Sequence, residues 1–140
     1  MVVFRRWREH FPDMGSTRAV RLLITGSQTW VDEERIRHIL GGLGFNPAAT
    51  TLVSGGCPKG ADMMCENAAL DLGWHVELHH ADWSRFGKRA GYIRNAEMVN
   101  LGADMCLAFI MNNSPGASMT AELAENAGIK TYIFADTTEE

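Results

Sequence analysis

The chain has 140 residues, of which 46% are apolar and 21% charged, with a net charge of −4. That is enough for one core, and it excludes a surface that attracts DNA or an anionic membrane as a whole. No apolar run approaches the ~20 residues that a bilayer span needs, and the N-terminal MVVFRRWREHF lacks the unbroken apolar stretch of a signal peptide. A soluble cytoplasmic protein without a membrane partner is expected. Cys57, Cys65 and Cys106 are odd in number and not in CxxC spacing, which points to reduced thiols rather than disulfides or a zinc knuckle.

Residues 1–17 carry Arg5, Arg6 and Arg8 but no regular pattern, and read as an N-terminal appendage. A single domain is expected over 18–136, with a tail at 137–140. Val20 to Thr25 is a short apolar strand broken by Gly26-Ser27-Gln28. A helix follows, with Thr29 and Asp32 at capping-box spacing and Ile36, Ile39, Leu40 and Leu43 as its apolar stripe. The next unit repeats the order: a strand over Thr51 to Ser54, the loop SGGCPKGAD, and a helix from Ala61 to Leu72 stopped by Gly73. Then come a strand over His75 to His79, a long loop and a helix ending at Gly102. A strand over Met105 to Ile110, the loop MNNSPGAS, a helix ending at Gly128 and a strand over Thr131 to Phe134 complete the chain.

Such alternation specifies an α/β fold: a Rossmann-like, doubly wound, three-layer α/β/α sandwich on five mainly parallel strands. Leu22 to Ile24 and Cys106 to Ile110 are apolar on both faces, as central strands must be, whereas HVELH alternates like a strand with one wet face. The order 3-2-1-4-5 satisfies both, and it puts the ligand crevice at the carboxyl ends of the strands, at the switch between the first and the fourth.

Three loops meet there. Gly55, Gly56 and Gly60 remove three Cβ atoms from one turn, so backbone N–H groups and the helix N-terminus beyond them favour an anion, with Lys59 adding charge. The spacing is neither a Walker A loop nor GxGxxG, and a plain corner whose Asp62 caps its helix is the alternative. The fourth loop, SPGASMT, opens a second helix with Gly116, Ser118 and Thr120, of which Ser118 or Thr120 is the N-cap candidate. Gly26, Ser27 and Ser54 complete the small-residue set at the strand ends. Arg85, Lys88, Arg89 and Arg94 form the densest basic cluster, and Arg94, beside Asn95, is the first choice of phosphate anchor; a surface ion pair with Glu97 or Asp82 is its alternative. Trp83, Phe86 and Tyr92 either stack on a base or fasten their loop to the domain, the commoner use, and Trp30 poses the same question. His79 and His80 face opposite ways on a strand, so no metal is expected. Cys57 has no histidine close in sequence.

LLITGSQTW, VSGGCPKGAD, HADWSRFGKRAGYIRN and LAFIMNNSPGASMTAE together resemble, in order and spacing, the YspA-like branch of the SLOG superfamily. Its relatives include the "lonely guy" phosphoribohydrolases and DprA. The resemblance runs from Val20 to Ile133 and implies binding of a nucleotide or nucleotide-derived ligand, sensed or sequestered, with the glycine loops, Arg89, Arg94 and Asn95 at its phosphate and ribose. It also allows a homodimer. The phosphoribohydrolase motif PGGxGTxxE is matched by Pro115 to Glu122 with departures: Ala117 and Met119 replace glycines, and Glu122 follows Thr120 by two residues rather than three. Gln28 stands where arginine follows Gly-Ser in YspA-like chains. Hydrolysis of the base-to-ribose bond by Glu122, with Asp62 orienting the ribose, is the alternative reading, and DprA-like nucleic-acid binding through the arginine arm is a second.

Overall fold

A strand in the middle of a parallel sheet is covered on both faces and must be apolar throughout. β4 (Met105–Met111) meets that demand, with all seven residues buried, and β1 (Val20–Gly26) nearly does. β2 (Thr50–Ser54) is almost as dry, while β3 (His75–Leu78) has exposed ends and suits an edge. In the computed structural model, which describes residues 19–136, these strands and β5 (Lys130–Asp136) form one parallel sheet of order β3-β2-β1-β4-β5. The appendage expected over 1–17 and the tail over 137–140 lie outside the described residues. The helices are α1 (Glu33–Gly41), α2 (Ala61–Asp71), the single-turn α3 (Trp83–Phe86), α4 (Ala90–Asn100) and α5 (Pro115–Asn126). No helix among the described residues is long and apolar enough to cross a membrane.

The period-2 alternation of each strand divides the core between the two faces. Leu22, Ile24, Leu52 and Leu107 point toward α1 and α2, where they pack with Ile36, Ile39, Cys65 and Ala68. Leu23, Val53 and Cys106 point the other way, to Met98 and Val99 of α4 and Ala124 of α5. The outcome is the three-layer sandwich. Burial pushes the thiol of Cys106 up to about 12 and that of Cys65 upward as well, so both behave as small apolar groups.

Two helix starts differ from the sequence expectation. α1 is capped by Asp32, whose carboxylate accepts from Arg35 N at 3.0 Å, with Glu33 and Glu34 in its first turn. Thr29 stays outside the helix because Trp30 is buried: its amide donates to Ser27 O and its indole N–H to Asp32 O, so a turn intervenes. α5 begins at Pro115, not at Ser118 or Thr120. Proline suits the first helical position, where its missing N–H and fixed φ cost nothing. The sharp turn into it is made by Asn112 and Asn113, both at positive φ.

Candidate ligand crevice

The loops after β1 and β2, the start of α5 and the α3–α4 segment enclose a crevice of about 440 Å³ at the carboxyl ends of the strands. It lies at the switch between β1 and β4, the place where doubly wound sheets bind ligands.

Within VSGGCPKGAD, the glycines serve mainly to let other groups come close. Gly60, at φ +75° and ψ −148°, occupies a backbone region that side chains exclude, and a Cβ there would lie 2.5 Å from Ser27 O and Gln28 Cα. The start of α2 thereby rests directly on the β1 loop, with Ala61 N donating to Ser27 O at 3.1 Å. A Cβ on Gly56, at φ +71°, would meet the His80 ring at 2.6 Å, and one on Gly55 would meet Arg94 Nη1 at 2.6 Å. The expected cradle of loop amides takes a different form. Gly56 N donates to Ser54 Oγ at 3.2 Å and Cys57 N to Asp62 Oδ2 at 3.3 Å, so both are already engaged.

The two serine hydroxyls are braces as well. Ser27 Oγ accepts from Met111 N at 2.8 Å and ties the β1 loop to the end of β4. Ser54 Oγ donates to Glu66 Oε2 at 2.6 Å, beneath the loop.

Asp62 is the carboxylate of the crevice. It does not cap α2, whose N-cap position is Gly60 with no side-chain bond. Instead it is 7% exposed, holds the loop through the Cys57 amide, and lines the cavity. Burial raises its pKa to about 6, against the opposing pull of the Cys57 N–H and of nearby Arg94. Its second oxygen, Oδ1, has no protein partner among the described residues.

Arg94 makes neither of the ion pairs considered for it. Nη1 donates to Gly55 O at 2.6 Å and His79 O at 3.3 Å, and Nε donates to Asn95 Oδ1 at 2.7 Å. Only Nη2, on the Gly91 side, is left without a protein partner among the described residues. Arg94 also lines a second cavity of about 220 Å³ with His80, Asp82 and Arg85, so it forms a wall between the two.

Of the residues expected at the site, Gly26, Ser27, Gly55, Asp62, Arg94, Asn95 and Gly116 line the crevice. Ser54, Gly56 and Gly60 stand behind it as supports. Lys59, Arg89 and Ser118 are exposed and do not line it. Thr120 is fully buried inside α5, its hydroxyl donating to Gly116 O at 3.1 Å. Glu122 is exposed farther along α5, away from the cavity wall, because α5 starts at Pro115 and turns that position outward. Among the described residues no side chain caps α5, and the amides of Gly116 and Ala117 lack intrahelical acceptors at the wall they line. Lys88, Gly91 and Ser114 also line the cavity. Lys88 was legible only as part of a cluster, and Gly91 and Ser114 only as members of the HADWSRFGKRAGYIRN and SPGASMT segments.

A family model, that of the YspA, cpYpsA-related SLOG family, matches residues 20–86, which run from β1 through α3. The "Gene 61 protein" of Mycobacterium phage D29 is 41% identical over 122 residues, covering 83% of this chain and 97% of that protein. No solved structure matches the chain. The glycine loop, Arg94 and the crevice they frame therefore sit in a chain that belongs to the YspA, cpYpsA-related SLOG family.

Proposed function

We propose that the crevice binds a nucleotide or nucleotide-derived ligand, and that the protein senses or sequesters it. One observation carries this reading: a buried carboxylate with one oxygen unpartnered among the described residues, and a helix N-terminus whose first amides lack intrahelical acceptors, line the same cavity. The two make opposite demands. Asp62 Oδ1 calls for hydrogen-bond donors and repels an anion, which suits the hydroxyls of a ribose. The Gly116 and Ala117 amides, with the α5 dipole and Lys88, favour a phosphate. A sugar phosphate satisfies both ends, and Arg94 Nη2 is left to assist. Family membership supports a nucleotide-related role in general.

Hydrolysis is a second reading, favoured by the pKa of Asp62 near 6, which suits a group that accepts a proton near neutrality. Glu122, exposed on α5, loses its support as the catalytic carboxylate. The homodimer rests on family resemblance alone, and sedimentation velocity tests it.

The experiment is a thermal-shift series with AMP, ADP, ADP-ribose and NAD on the wild type and Asp62→Asn, followed by chromatography for free base. A ligand present at about 100 times its Kd adds about 2.7 kcal/mol to the folded state and raises Tm accordingly. Stabilisation that is weakened in Asp62→Asn supports the reading. Absence of stabilisation by all four compounds removes it. Release of base by the wild type, lost in Asp62→Asn, turns the conclusion to hydrolysis.

A further inference from the structure

Aromatic side chains in a connecting segment usually fasten it to the core, and Trp30 and Trp74 do so, at 1% and 5% exposure. Trp83 and Tyr92 do not: they are 61% and 49% exposed, and both line the crevice. We propose that these two rings form a platform at the crevice mouth that stacks on the planar base of the ligand, so that the site takes nucleotides in preference to bare sugar phosphates. This rests on the nucleotide reading above and adds the part of the ligand which that reading leaves unassigned.

Three observations support the platform. The turn that carries the exposed Trp83 is fixed, because the Asp82 carboxylate accepts from Arg85 N at 3.1 Å and from Ser84 Oγ at 2.9 Å. Gly91, which lies next to Tyr92 and lines the same wall, places the Trp83 ring beside the start of α4: a Cβ there would be in ordinary contact with Trp83 Cη2, at 3.5 Å. Phe86, the third aromatic of the segment, is accounted for otherwise, half-buried under the Arg85 guanidinium at 4.8 Å and lining the smaller cavity. A ring carried on a turn that is already fixed loses less freedom when a base arrives than one on an unanchored loop, which favours stacking.

Titration calorimetry with AMP and with ribose 5-phosphate, on the wild type, Trp83→Ala and Trp83→Phe, tests the assignment. The wild type is expected to bind AMP roughly 5- to 100-fold more tightly than ribose 5-phosphate, the range that base–aromatic stacking supplies. Trp83→Ala should bring AMP down to the level of ribose 5-phosphate without changing the latter, and Trp83→Phe should keep most of the preference. Circular dichroism checks that the variants fold, which the exposure of Trp83 favours. Equal affinity of the wild type for both compounds overturns the platform and leaves the nucleotide reading intact, as does unchanged AMP binding in Trp83→Ala. Failure of the wild type to bind either compound overturns both. A Trp83→Ala protein that binds AMP normally but loses self-association in sedimentation assigns the exposed rings to a second copy of the chain instead.

Discussion

Arg94 Nη1 donates to the Gly55 carbonyl at 2.6 Å, a bond across 39 residues that joins α4 to the loop after β2. The same nitrogen reaches His79 O, so one guanidinium ties the ends of β2 and β3 to the helix beside them. Lysine offers one charged centre and no planar fork. Arg94→Lys should therefore destabilise the fold by about 1–3 kcal/mol, the range for a lost hydrogen bond to a charged group. Gly55→Ala should act through the same contact, because its Cβ would fall 2.6 Å from Nη1. Urea unfolding of the double variant should then show less than the sum of the two single losses.

The pH dependence of stability should carry a mark of Asp62. Its folded pKa, about 6, lies above the ordinary 3.8, so the folded state holds the proton more tightly than the unfolded one. The associated stability is fully present below 3.8 and is lost as pH rises through 6. The difference corresponds to about 3 kcal/mol. Asp62→Asn keeps an acceptor for the Cys57 amide and carries no charge. It should be more stable than the wild type at pH 8, and the gap should close toward pH 4. A wild-type curve flat between pH 4 and 7 would contradict this assignment of the carboxylate's surroundings.

Thiol reactivity should separate one cysteine from the others. Cys57 is half-buried and lines the crevice, while Cys65 and Cys106 are buried with raised pKa values. Iodoacetamide at pH 8 should label Cys57 in the native protein and the other two only after denaturation, as read by peptide mass spectrometry. AMP at saturation should slow the native labelling.

Glu122→Ala should be nearly silent. The side chain is exposed and does not line the crevice, so stability should change by no more than about 0.5 kcal/mol. AMP affinity in calorimetry should match the wild type. A loss of tenfold or more would bring Glu122 back into the site.

The sheet order was readable from the strands themselves, because burial on two faces leaves an unbroken apolar run, as in CLAFI; HVELH alternates in sequence and takes an edge, but there it is the two strand ends, His75 and Leu78, that are exposed rather than one face. The start of α5 was misplaced, because the hydroxyls of Ser118 and Thr120 suggested a later cap than the Ser114-Pro115 opening that the structure uses. The use of the glycines was not readable. Gly55, Gly56 and Gly60 face Arg94, His80 and the Ser27–Gln28 backbone, partners distant in sequence that only the folded topology brings near. The difference between Trp30 and Trp83 was hidden for the same reason: exposure belongs to the assembled loops, and the two residues look alike in the chain.

The loops are held by Ser27 to Met111, by Ser54 to Glu66, by Gly60 against the Gln28 backbone and, from residues that also line the cavity, by Arg94 to Gly55 and Asp62 to the Cys57 amide. Thr29, Lys88 and Tyr92 put exposed side chains at the opening and take no part in those ties, and Gln28 enters them through its backbone alone. Part of the lining is thus separable from the frame. Substitutions at Thr29, Lys88 and Tyr92 can retune what enters while the scaffold stays as it is, and a change of ligand preference, by drift or by design, need not begin with a loss of fold.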